Sequence, residues 1–173
     1  MSSVDTATKT PLSVGRKTFL HCVFTTAIEG GIQHWARVDS YHWRTSGTKD
    51  LPITDPRVND VDGFYAVIRS TEADDDDEND TGWGITGLER EHTLRIDLDV
   101  VERGTNLFTR YCRGEVNSHG IDVPEEQRKP LADDAYWRQF LAAEATHGQE
   151  GDYDAMVADN IVQFGLFGKL VFG

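Results

Sequence analysis

The fold class this sequence predicts is α+β, a single domain in which a small antiparallel or mixed sheet packs against about four helices. Apolar residues recur at helical spacing in four separate stretches, and period-two alternation appears in short runs rich in aromatics. These helices and strands are grouped rather than alternating as βαβ units, which argues against a parallel doubly wound sheet. At 173 residues the chain is long enough for one complete core and short for two.

Residues 1–15 are rich in Ser and Thr with Pro11 among them, and read as a flexible N-terminal arm before a domain covering 16–173. From Lys17 to Glu29 the positions Phe19, Leu20, Val23, Phe24, Ala27 and Ile28 form the stripe of an amphipathic helix, which Gly30 and Gly31 end. Gly31 to Arg44 then alternates with period two and predicts a strand. After a loop carrying Pro52 and Pro56, Phe64 to Ser70 reads as a second strand and Glu91 to Asp97 as a third, paired with it as a hairpin with an acidic tip.

Asp99 followed by Glu102 has the spacing of a capping box and predicts a second helix running to Gly114. Asp133 is the expected cap of a third, in which Tyr136, Trp137, Phe140 and Leu141 face the core. Asp152 or Asp154 caps a fourth, with Val157, Ile161, Val162 and Phe164 on its buried face. Lys169 to Phe172 has strand character and is expected in the sheet beside the Gly31–Arg44 strand.

Thirty acidic residues against seventeen basic give a formal charge of -13, so the mean field repels phosphates and anionic bilayers. Direct nucleic-acid binding and membrane association are therefore not expected. The sign suits a basic partner protein, a surface imitating nucleic acid, or a salt-loving or solubility-driven background, and of these a protein with a basic surface is the partner expected. Cys22 and Cys112 are far apart in apolar stretches and read as buried, reduced thiols; no Cys-x-x-Cys supports a structural zinc. Met1 to Thr10 has no apolar core and no run reaches about 18 apolar residues, so a cytoplasmic location is expected.

Gly82, Gly84 and Gly87 spell G-x-G-x-x-G, but no strand precedes them and the carboxylates before them would repel a pyrophosphate. Asp77, Asn79, Thr81 and Gly82 match the start of an EF-hand loop, yet Leu88 stands where the bidentate carboxylate belongs. No metal and no cofactor is expected. Glu72, Asp74, Asp75, Asp76, Asp77, Glu78 and Asp80 instead read as a solvated acidic loop over 71–82 that offers a surface to a basic partner. Six histidines leave many pairings open, but Gly-x-Ser-x-Gly is missing and no catalytic residue is assigned, so enzymatic activity is not expected.

The helix-to-strand handover holds paired glycines beside Thr25, Thr26, Glu29, Gly30, Gly31, His34 and Trp35. Polar groups, a stacking ring and close backbone approach make this segment the candidate for a small-molecule or nucleotide pocket; its alternative is a tight turn with a packed Trp.

Thr25 to Trp35, together with Asp159 to Gly173, resembles a group of small uncharacterised bacteriophage proteins, most like those of actinobacterial phages. The resemblance implies a nonstructural accessory protein in the host cell cytoplasm that binds a host factor and modulates it, with countering of host defence as one such role. It supplies no site residues. Because the two segments flank the domain in sequence, they are also expected to meet in space. Alternatives are a small-molecule or nucleotide-binding protein or enzyme, and a minor virion component. The aromatic strand from Trp35 to Trp43 offers a surface for homo-oligomerisation.

Overall fold

Ser13 starts the first helix by accepting the Arg16 backbone N–H on its hydroxyl at 3.1 Å, the usual task of an N-cap serine. Helix α1 therefore spans Val14–Thr26 and begins inside the stretch expected to be a mobile arm. A computed structural model describes residues 10–43, 50–52, 63–73, 76–85, 87–131 and 135–173; residues 1–9 of that arm lie outside the described residues. Phe19, Leu20, Val23 and Phe24 are buried as their spacing predicts. Cys22 corrects the expectation of a buried thiol: it lies one position off that stripe and is exposed, whereas Cys112 is buried, and both are free.

The helix does not stop at the glycine pair. It widens into a five-residue π turn, Ala27–Gly31, closed by the Ile32 N–H donating to the Ala27 carbonyl, and then tightens into a 3₁₀ turn, Ile32–His34. The strand expected from Gly31 thus begins only at Ala36. Residues 31–35 are still turning: the Trp35 N–H donates to the Ile32 carbonyl at 3.1 Å, which closes the 3₁₀ turn instead of joining a ladder.

Strand β1 (Ala36–His42), β2 (Tyr65–Ser70) and β3 (Leu94–Asp97) form an antiparallel sheet in the order β1-β2-β3. Val38 pairs with Ile68 and Ser40 with Val67, leaving Asp39 as the extra residue of a bulge whose carboxylate receives two donors from Arg69 at 3.0 and 2.9 Å. Ala66, Ile68 and Ile96 point into the core. On the opposite face Tyr65 stacks with His42 at 4.3 Å and lies under the Arg95 guanidinium.

Helix α2 (Leu98–Cys112) is capped by Asp97, which accepts from the Val100 N–H at 3.1 Å. The expected cap Asp99 is instead a first-turn residue, because β3 runs straight to Asp97 and leaves it the extended backbone a cap requires. Helix α3 is Ala135–Ala145; its expected cap, Asp133, lies outside the described residues. Helix α4 (Ala155–Phe167) is capped by Asp154, and Gly168 closes it in the left-handed region at φ 70°.

Helices α2 and α4 cross closely because each contributes a glycine. A methyl on Gly104 would run into the Ile161 carbonyl, and one on Gly165 into the Val100 carbonyl. Arg16, 8% exposed, ties α1 to both neighbouring helices: its guanidinium donates to Glu102 at 3.0 Å and Asn106 at 3.2 Å on α2, and to Glu144 at 2.8 Å on α3.

Residues 169–173 form no strand, which corrects the expected sheet pairing. The Gln163 side chain takes the place of a neighbouring strand: its Oε1 accepts from the Val171 and Phe172 N–H groups, both at 2.8 Å, and its Nε2 donates to the Phe172 carbonyl at 3.1 Å. No helix among the described residues is long and apolar enough to cross a membrane.

Candidate functional site

The π turn carries the chain directly against the first turns of α4. An added Cβ on Gly31 would sit 2.7 Å from the Ala155 carbonyl and 3.2 Å from the Asp159 Cβ, so only glycine lets the two backbones approach this far. That approach delivers the next side chains, His34 and Trp35, to Asp159.

Trp35 is 1% exposed and its Nε1–H donates to Asp159 Oδ1 at 2.7 Å. The second carboxylate oxygen accepts from Gln163 Nε2 at 3.2 Å and faces His34 Nε2 at 3.7 Å. The first contact is a good charge-assisted hydrogen bond, and the last is an ion-pair distance too long for one. Asp159 is itself 4% exposed. Burial pushes its carboxyl above the ordinary value, against the opposing pull of the Trp35 and Gln163 donors and of the nearby His34 ring. His34 is exposed, and its Nδ1 lies 3.1 Å from the Gly31 carbonyl. A carbonyl only accepts, so Nδ1 carries the proton of that bond and Nε2 is the nitrogen turned toward the carboxylate. The imidazole thus faces the carboxylate at the edge of the cleft without a direct hydrogen bond to it.

Behind them Trp35 stacks on Phe172 with ring centroids 4.8 Å apart and planes within 3°, and meets Phe167 and Trp83 edge-on. The Trp35 and Phe172 segments therefore meet in space, as expected from their pattern, but through side chains rather than strand pairing.

In front of Asp159 opens a cleft of about 720 Å³. The π turn forms one wall with Gly30, Gly31 and His34; α4 forms another with Ala155, Met156 and Asn160; Leu170 to Gly173 and Ser118 complete it. Ser118 is held there by its own carbonyl, which accepts the Leu170 N–H at 2.8 Å. Although Ser118, His34 and Asp159 share the cleft, they do not make a nucleophilic relay, because the His34 nitrogen remote from Asp159 is committed to the Gly31 carbonyl.

Of the residues singled out in the sequence, Gly30, Gly31 and His34 line the cleft and Trp35 forms its backing. The other three belong elsewhere. Thr25 and Thr26 donate to the Cys22 carbonyl at 3.0 and 2.8 Å, as helical hydroxyls do, and Glu29 accepts from the Tyr41 hydroxyl at 2.8 Å. The tight turn and packed Trp set against a pocket are present together with the cleft. Asp159, Gln163, Asn160, Ser118 and Phe172 were missed as site residues. The available signal was Asp159 and Gln163 one turn apart in a largely apolar helix, a spacing that puts two polar groups on one face.

The acidic loop is built differently from a free hairpin tip. Its far side is pinned: Trp83 is 2% exposed with Nε1–H donating to the Glu91 carbonyl at 2.7 Å, and Ser70 donates to the Gly82 carbonyl at 2.8 Å. Glu72, Asp76, Asp77, Glu78 and Asp80 are exposed, while Asp74 and Asp75 lie outside the described residues. Asp77 and Asp80 accept the backbone N–H groups of Asn79 and Gly82, both at 2.9 Å, which folds the run into successive turns. Among the described residues no three His, Cys, Asp or Glu side chains gather as a metal ion would require.

No protein family, characterised protein or solved structure was found to match this chain.

Proposed function

We propose that the protein binds a small molecule in the cleft between the π turn, α4 and residues 170–173, with His34 and Asp159 among the polar groups that line it. The observation that carries this reading is convergence. A concave site, polar groups from three separate segments and a carboxylate with a raised pKa fall in one place, and groups perturbed in this way concentrate at functional sites. The internal bonds of Trp35, Asp159 and Gln163 make the site rigid before any ligand arrives, which lowers the ordering cost of binding. Native mass spectrometry of protein isolated from the producing cells tests it. A co-purifying small molecule lost in Asn160→Leu is the expected result; identical spectra for both proteins count against it.

A second reading is favoured by charge. With the base of the loop fixed by Trp83, the carboxylates from Asp76 to Asp80 stand in solvent on a protein of net charge -13, and would attract a basic host protein in the accessory role that the phage resemblance implies. Capture from host lysate at low and high salt distinguishes this reading: a partner retained at low salt and released at high salt supports it, and recovery that ignores salt removes it.

A further inference from the structure

The polar groups of the cleft are unequally committed. Asp159 and Gln163 are engaged with Trp35, with each other and with the 171–172 backbone. The Asn160 amide and the Ser118 hydroxyl are half-buried in the same cleft and make no side-chain hydrogen bond among the described residues. Both groups reach the cavity with their hydrogen-bonding capacity unspent on the protein, so a ligand in the cleft can meet them at no cost in internal bonds. An amide, moreover, presents one donor and one acceptor side by side in a plane.

The apolar surfaces have a matching character. Phe172 lines the cleft with its ring held parallel to Trp35, so its plane is fixed from behind by an indole that Asp159 locks in turn. Met156, 53% exposed, stands one helical turn before Asn160 and so on the same side of α4, giving a polarizable thioether above the same space. A flat, polarizable ring edged with hydrogen-bonding groups satisfies these surfaces; an alkyl chain leaves the amide unpaired.

Charge narrows the class. The cleft lining contains Asp159 but neither Lys nor Arg, so a phosphate would find a carboxylate and no fixed cation.

We infer that the cleft binds an uncharged planar heterocycle with adjacent donor and acceptor, a nucleobase or its nucleoside, stacked on Phe172 and read along one edge by Asn160. This rests on the reading of the cleft as a ligand site and names its ligand class. A side-chain amide pairs bidentately with the donor–acceptor edge of adenine, which makes adenosine the first probe, and a cleft of about 720 Å³ has room for base and sugar.

The test is a titration of the full chain, followed by amide NMR, with three probes: adenosine, AMP, and cyclohexanecarboxamide as an amide without an aromatic plane. Adenosine is expected to shift Gly30, Gly31, His34 and Asn160, with AMP about tenfold weaker or worse because its phosphate meets no cation. Asn160→Ala and Phe172→Leu should each weaken adenosine by about tenfold. Asn160→Ala, at a half-exposed position without partners, should leave the melting temperature unchanged and so separates recognition from folding. AMP binding as tightly as adenosine, or Asn160→Ala binding adenosine unchanged, overturns the inference. If only cyclohexanecarboxamide shifts the cleft resonances, the heterocycle class falls and the ligand site stands; if no probe shifts them, both fall.

Discussion

Asp159 is held so tightly that even its amide counterpart should fit poorly. In Asp159→Asn the new Oδ1 can still accept from Trp35, but Nδ2 then faces Gln163 Nε2, two donors with nothing between them. Gln163 cannot turn to accept, because its Oε1 already receives two backbone N–H groups. A loss of about 1–3 kcal/mol in urea unfolding is expected from the unsatisfied amide. The pH dependence has a definite sign. Burial raises the folded carboxyl above its ordinary 3.8, so its charge is a cost to the folded state at neutral pH. That cost is relieved as pH falls through the folded value toward 3.8, and the wild type should gain on Asp159→Asn over that interval. Urea melts at pH 7 and pH 5, made in a His34→Gln background so that the imidazole does not contribute, check this. His34 and Trp35 were legible as site residues because a glycine pair advertises close approach beside them. Asp159 was not, since its partner Trp35 is 124 residues away and nothing local to α4 names it.

At the level of helices and strands, the crossing of α2 and α4 should be the least tolerant contact. Gly104→Ala places a methyl on the Ile161 carbonyl, backbone that cannot step aside without parting the helices, and should cost about 3 kcal/mol or more by chemical denaturation. The Arg16 contact makes a different prediction. In Arg16→Met, Glu102 and Glu144 are left facing one another without their shared cation, and about 3 kcal/mol should be lost; adding Glu144→Gln should recover part of it, as a double-mutant cycle would report. The spacing of Phe19 to Ile28 and of Val157 to Phe164 revealed both helices because burial of one face sets that spacing directly. The ends were harder to read. Ser13 and Asp97 act as caps because their own backbone is extended where the helix starts, whereas Asp99 has the capping-box spacing but already lies in the first turn. Residues 169–172 looked like a strand because the consecutive apolar residues Leu170, Val171 and Phe172 also suit a non-strand segment whose backbone is paired by a glutamine.

Across the whole molecule the surplus of thirteen negative charges acts on stability through self-repulsion. Raising NaCl from about 10 mM to about 300 mM shortens the Debye length from about 30 Å to below 10 Å, and the melting temperature should rise as the carboxylates cease to oppose one another. A flat or falling response would mean that the exposed pairs, such as Arg69 with Asp39, outweigh the general repulsion. The α+β class was legible at this scale because it depends only on how apolar periods are grouped along the chain. The cleft was only half legible, because it is assembled from three segments, the π turn, α4 and residues 170–173, whose meeting depends on tertiary contacts rather than on any one stretch of sequence.

One residue too many between Ala27 and Ile32 decides where the imidazole and indole aim. A helix continued at regular pitch would need one residue fewer to reach the same height, and each residue turns a helix by about 100°. Adding an alanine after Gly31 should therefore carry His34 and Trp35 about a quarter-turn away from Asp159, because the turn already holds its one extra residue. Near-ultraviolet circular dichroism would record the indole leaving Phe172. The aim of both rings is thus set by counting, and a chain with one more residue in this turn would have the parts of this cleft without the cleft.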